Sequence, residues 1–186
     1  RAPEDVSLAP PGIDTEVFTP AGDRRGGEYM LAVARWSDYR KRLDITLRAY
    51  TALRDRIPGW PPLFLVGKSP PLAEDLRLAS ALGIDTDVRY IGVLTESELA
   101  DAYRGASAFI STADEEGLGL SILEAMSSGC AVVATRCGGP EYSIEDGISG
   151  VLVPRRDPEA TAAALARLLT DTSYREAIGR AARERV

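Results

Sequence analysis

Residues 108–139 read AFISTADEEGLGLSILEAMSSGCAVVATRCGG. An apolar run from Ala108 to Ser111 leads into a polar loop with two glycines. Helical spacing of apolar residues follows from Leu120 to Ser128, then Gly129, then a second apolar run from Ala131 to Thr135. This is a strand, a helix and a strand, with Gly129 suited to the left-handed residue that ends a helix. A helical crossover of this kind joins parallel strands.

The same alternation continues outward in both directions. Toward the C-terminus, the strand runs into Gly138-Gly139-Pro140, and Val151 to Val153 is a last short strand. Asp157 caps a helix to about Leu169 with Pro158 in its first turn, and 173–183 form another. Toward the N-terminus, strands are expected at Tyr29 to Ala34, Leu63 to Val66 and Val88 to Ile91. Helices are expected at Leu43 to Arg56, Leu72 to Leu82, and Glu96 to Tyr103 with a Thr95/Glu98 capping box. Residues 1–27, rich in Pro, Gly and charge, read as a linker, leaving 28–186 as one domain. The expected fold is α/β: a Rossmann-like, doubly wound parallel sheet of about six strands with helices on both faces.

In such sheets ligands bind beyond the carboxyl ends of the strands. That rule gathers Arg35 to Lys41, Lys68, Gly92 to Thr95, Ser111 to Gly119 and Thr135 to Gly139 on one edge. Composition narrows the chemistry available there. The 186 residues are 45% apolar and 27% charged, ordinary globular values, with no apolar run long enough to span a membrane. A net charge of −6 argues against nucleic acid as a bulk partner. The chain contains no His, Asn or Gln, which excludes a His-based triad or zinc site. Lys41 and Lys68 are its only lysines, and both fall on the ligand edge. Cys130 and Cys137 cannot form a disulfide scaffold and read as free thiols of a reducing, cytoplasmic compartment. The chain opens on Arg1 rather than Met, and so reads as a piece of a longer protein.

Glu116 and Glu124 bracket a glycine-rich helix start, Gly117-Leu118-Gly119-Leu120. Glycines let backbone approach a ligand, and a helix N-terminus offers free N–H groups to phosphate. A carboxylate in the first turns can accept hydrogen bonds from a ribose diol. Glu124 is expected to share a face with Leu120, Ser121, Ser127 and Ser128, while Ile122, Ala125 and Met126 turn to the core. Arg35 and Lys41, on one loop, fit a diphosphate, and Lys68 can touch phosphate from the next turn. The plainer reading of each stays open: a solvated helix start and a basic surface loop. Gly67-Lys68-Ser69 is no P-loop, because the first glycine of that motif falls on Pro62. Asp85-Thr86-Asp87 matches a short metal-binding pattern but precedes a strand, on the opposite edge.

Glu116 to Glu124, continued by Ala125-Met126 and by Gly129 to Thr135, then Gly138-Gly139-Pro140-Glu141, resembles the signature of retaining glycosyltransferases of family 4. Pro11-Gly12-Ile13-Asp14-Thr15, with Phe18, is similar to the hinge that opens their C-terminal domain. Ala34-Arg35, Lys41 and Asp44 resemble their phosphate-binding segment, with Lys41 one residue farther from Arg35 and Ala34 in place of glycine. The resemblance covers roughly residues 8–185. It implies one half of the two-domain GT-B arrangement, the half that binds a nucleotide-diphosphate sugar such as a UDP or GDP sugar. Arg35 and Lys41 are then expected to hold the diphosphate, with Lys68 nearby, and Glu124 the ribose hydroxyls. Glu116 and the backbone of Gly117, Leu118, Gly119 and Leu120 are expected to hold the sugar, and the loop around Leu94 the base. No metal or other cofactor is implied. The implied partner is an acceptor domain of the same parent protein, whose full length can still sit at a membrane surface. A GT-B-type nucleotide-sugar epimerase domain and a non-catalytic binding module are the alternatives.

Overall fold

A computed structural model describes residues 12–20 and 27–186. Six parallel strands form one sheet: β1 (Tyr29–Val33), β2 (Leu63–Val66), β3 (Val88–Gly92), β4 (Ala106–Ser111), β5 (Val132–Thr135) and β6 (Val151–Val153). Their order is β3-β2-β1-β4-β5-β6. The chain winds outward from β1 to one edge, then returns and winds outward from β4 to the other. The winding reverses at the β1/β4 boundary, where a sheet of this class opens its binding crevice.

Among the described residues seven helices cover the sheet: α1 (Leu43–Arg54), α2 (Ala73–Ala81), α3 (Glu96–Gly105), α4 (Leu120–Ser127), α5 (Pro140–Ser143), α6 (Pro158–Thr170) and α7 (Thr172–Arg185). The two-residue alternation of the strands splits the core into two layers. Met30, Ala32, Ala108, Ile110 and Val133 pack with α1 and α6 on one face. Leu31, Phe109, Val132 and Ala134 pack with Tyr103 of α3 and with Ile122, Ala125 and Met126 of α4 on the other. α7 reaches both layers, through Ile178 and Ala182. Among the described residues no helix is long and apolar enough to cross a membrane.

The elements agree with the sequence to within a residue or two, apart from α5 and a 3-10 turn at Tyr39–Lys41. α5 has only four residues, too few for a periodic signal, and Pro140 sets its first turn.

Pro10, Pro11 and Gly22 fall outside the described residues. Gly12 to Pro20, part of the stretch read as linker, does not stand free. Phe18 is buried and meets the ring of Tyr103 edge-on, at 5.9 Å between centroids. Arg104 donates to the carbonyls of Val17 and Thr19, and Arg183 of α7 to those of Thr15 and Phe18.

Candidate functional site

The crevice at the β1/β4 boundary narrows to a hollow of about 10 Å³, room for a single water, lined by Val33, Ala34, Trp36, Lys41, Thr46, Ile110, Ser111, Thr112 and Glu116. Trp36, buried, donates its indole N–H to the Val66 carbonyl at 3.1 Å and floors the loop after β1. That loop then makes one 3-10 turn, Tyr39–Lys41, capped by the Asp38 carboxylate. Hydrogen bonds from Arg40 hold the Asp38 carboxyl down at about 2.

Lys41 leaves this turn and donates from Nζ to Glu116 Oε2 at 2.6 Å, with both side chains 19% exposed. The extra residue between Arg35 and Lys41 therefore does not carry the ammonium out of the site. Arg35 points elsewhere: it is 69% exposed and lies 3.7 Å from Asp38. It lines an outer hollow with Tyr39, Arg40 and Glu115. The two cations are on one edge but are not side by side. Lys68 is exposed just after β2, and no ion pair joins it to Glu116 among the described residues.

The backbone of Glu116 is fixed from a second loop. Its N–H donates to the Cys137 carbonyl at 3.4 Å, and its carbonyl accepts from Gly139 N–H at 2.7 Å. A Cβ on Gly139 would lie 2.6 Å from the Gly117 carbonyl oxygen and 2.7 Å from that of Glu116, so only glycine fits. Gly117 is exposed, and Leu118 turns into a groove with Ile13, Leu123 and Tyr142. Gly119, at φ 78°, starts α4 with no side-chain cap, and Leu120 is exposed. An uncapped start leaves N–H groups of the first turn available to an anion.

Glu124 lies one turn into α4, half-buried, and accepts a 2.8 Å hydrogen bond from Tyr103 Oη. Burial pushes its carboxyl above the ordinary glutamate value, Tyr103 pulls it back, and Glu96 pushes it up again. The serines expected beside it behave differently. Ser127 and Ser128 are fully buried, and Ser127 Oγ donates to the Phe18 carbonyl while accepting from Arg183. Ser127 closes α4 against the N-terminal segment and α7, and the Ser128 hydroxyl is buried without a partner among the described residues, so neither extends the exposed face. Leu94, half-buried, packs on the Phe18–Tyr103 cluster at the end of β3. Asp85 and Asp87 stand before β3, away from the crevice.

Several groups at the site carried no motif. Thr46 and Thr112 share a 2.6 Å hydroxyl–hydroxyl contact in the crevice. Asp114 takes ion pairs from Arg42 and Arg156 at 2.9 and 2.8 Å. Tyr103 is fully buried, and in the sequence it marks only the end of the expected helix from Glu96. The available signal was its spacing along α3, which places it on the face toward α4.

The Lys41–Glu116 pair thus sits beside an uncapped helix start, with a second carboxylate, Glu124, one turn deeper. The family model "Glycosyl transferases group 1" matches residues 27–171. A D-inositol 3-phosphate glycosyltransferase from Nocardiopsis dassonvillei is 35% identical over 96% of this chain and 46% of its own length. The C-terminal domain of a glycosyl transferase group 1 family protein from Francisella tularensis superposes with a TM-score of 0.81 at 27% identity, covering 93% of this chain and 95% of that one. Sucrose-phosphate synthase from Thermosynechococcus elongatus superposes at 0.83 with 29% identity, over 95% of this chain and 46% of that one. The chain spans about half the length of the curated relatives it matches. From the family match and these likenesses, the chain belongs to the glycosyl transferases group 1, and its fold is one half of a GT-B arrangement.

Proposed function

We propose that this chain is the donor-binding half of a retaining, metal-independent glycosyltransferase that takes a nucleoside diphosphate sugar. The carrying observation is the 2.6 Å contact between Lys41 and Glu116 at the crevice. A diphosphate needs a cation and a sugar hydroxyl needs an acceptor. In such a donor the two groups are neighbours, and here the matching side chains are neighbours too.

In this reading Lys41 takes the diphosphate from inside the crevice and Arg35 from its outer rim, with Lys68 farther along the edge. Glu116 and the backbone of Gly117 to Leu120 hold the sugar. Glu124 accepts from the ribose hydroxyls, and the Leu94 loop faces the base. The bond from the anomeric carbon to the diphosphate breaks, and the acceptor oxygen bonds to the same face. The acceptor proton passes to the leaving diphosphate, whose charge Lys41 and Arg35 offset. The acceptor side is assigned to the part of the relatives that this chain does not cover. The purified chain is therefore expected to bind donor without turning it over.

A thermal-shift panel of UDP, GDP and ADP, each bare and as its glucose conjugate, tests the reading. A ligand at 100 times its Kd should add about 2.7 kcal/mol of stability. No shift with any of them at millimolar concentration would overturn it.

A further inference from the structure

Arg42 and Arg156 are the non-glycine residues with a left-handed backbone among the described residues, at φ 51° and 57°. That conformation is disfavoured for an ordinary L-residue, so each needs a restraint. The same carboxylate restrains both. Arg42 donates from Nη1 to Asp114 at 2.9 Å, and Arg156 donates from Nε and Nη2 at 3.1 and 2.8 Å. Three loops meet there: Arg42 follows β1, Asp114 follows β4 and Arg156 follows β6.

Arg40 and Arg42, the neighbours of Lys41, are both gripped from the β4–α4 loop. Asp114 N–H donates to the Arg40 carbonyl at 2.7 Å. The Asp114 carboxylate holds the Arg42 guanidinium, and Thr112 Oγ1 donates to the Arg42 carbonyl at 2.9 Å. Lys41 extends between these two anchors to Glu116, two residues beyond Asp114. Asp44 also binds the Arg42 guanidinium, at 2.8 Å, but from the start of α1, on Arg42's own side of the crevice. Asp114 is the group that ties the turn to the opposite loop.

We propose that Asp114 is a positioning residue: by holding Arg42 through its carboxylate and Arg40 through its amide, it sets the Lys41 ammonium against Glu116, where the diphosphate is to bind. The diphosphate in this statement rests on the donor-binding reading. The placement of Lys41 does not.

Lys41 and Lys68 are the only lysines in the sequence, so lysine labelled with 13C at the ε carbon gives two side-chain signals, with exposed Lys68 as internal reference. Glu116→Ala, which leaves no acceptor, marks the position of a released Lys41. Asp114→Asn should carry the Lys41 signal at least half of that way and leave Lys68 fixed. Arg156→Ala, which cuts only the strap to the third loop, should lower Tm without moving Lys41. An unmoved Lys41 in Asp114→Asn overturns the proposal, and so does an equal movement in Arg156→Ala, the mark of general loosening. Should Asp114→Asn fail to fold, Arg42→Ala removes the same grip from the other side and is read in its place. Calorimetry supplies the functional arm. Asp114→Asn should weaken UDP, GDP or ADP by about tenfold, or ~1.4 kcal/mol, and leave the bare nucleoside unchanged; equal losses for both overturn the role. A native protein that binds no nucleoside diphosphate overturns the donor reading instead, and the Lys41 signal then decides the positioning role alone.

Discussion

The two motif glutamates are eight residues apart and solve opposite electrostatic problems. Glu116, on the loop, faces a full positive charge at 2.6 Å, and its backbone is clamped by Gly139. Glu124, inside α4, has a neutral phenol as its donor, and burial raises its carboxyl. The loop carboxylate is compensated by an ion, the helical one only by a dipole. A group that must meet a mobile, charged ligand can borrow a cation that the ligand later shares. A group that must accept from uncharged hydroxyls does better with no competing cation beside it. The cost at Glu124 is that its ionised form is stabilised less than it would be in water.

The largest way to break the contrast is Gly139→Ala. The added methyl meets two carbonyl oxygens of the Glu116 loop, so that loop must shift while α4 stays seated on its buried side. Overpacking of this kind costs about 1–3 kcal/mol. Thermal unfolding should show the loss, and Lys41 should part from Glu116 in a crystal structure of the variant. Unchanged stability would mean that the loops are not clamped.

Glu124→Gln comes next. It removes a carboxylate that burial disfavours, so Tm should hold or rise. Nucleoside diphosphate affinity should fall roughly 10- to 100-fold, the worth of a charge-assisted hydrogen bond. A variant that loses stability and affinity together would make Glu124 a structural group.

Tyr103→Phe keeps the ring between Phe18 and Phe109 and deletes the hydroxyl. Without that donor the Glu124 carboxyl rises further above the usual glutamate value. Its protonated form favours the fold, so this group's contribution to stability grows as pH falls through the raised value and is lost as pH rises through it. Binding runs the other way, because it needs the carboxylate. Affinity should therefore fall with acidity, and in Tyr103→Phe the fall should begin at higher pH. Diphosphate titrations by calorimetry across mildly acidic pH would show whether the two curves separate; superimposed curves would remove Tyr103 from the site.

The smallest effect belongs to the ion pair itself. A double-mutant cycle over Lys41→Ala and Glu116→Ala should give a coupling of about 1 kcal/mol or less in stability, since both groups keep some contact with water. A larger coupling would make the pair a structural staple.

Most of the sheet was legible because short apolar runs ending at glycine or a polar turn are what buried parallel strands demand. Glu124 could be placed inside a helix from the spacing of Ile122, Ala125 and Met126 alone. The contacts that make the site were not legible. Lys41 and Glu116 are 75 residues apart, and nothing local to either one announces the other. Tyr103 marks only the end of an expected helix in the sequence; its ring is core, and only its hydroxyl reaches Glu124. Ser127 and Ser128 looked like a polar face because a hydroxyl carries no sign of whether it will meet water or the Phe18 carbonyl. Arg42 gave no hint of its left-handed backbone, since the restraint lies on another loop.

Arg183, near the end of α7, closes over Phe18 across 165 residues of chain. On a ribosome the two cannot meet until nearly the whole domain has emerged. The Phe18 ring can be covered once Tyr103 of α3 is made, but the Phe18 carbonyl must wait for Arg183 until α7 follows β6. Contacts of such long sequence separation close late and slow the overall reaction. Holding translation before α7 is released should therefore leave the backbone around Phe18 without its Arg183 contacts and open to proteolysis.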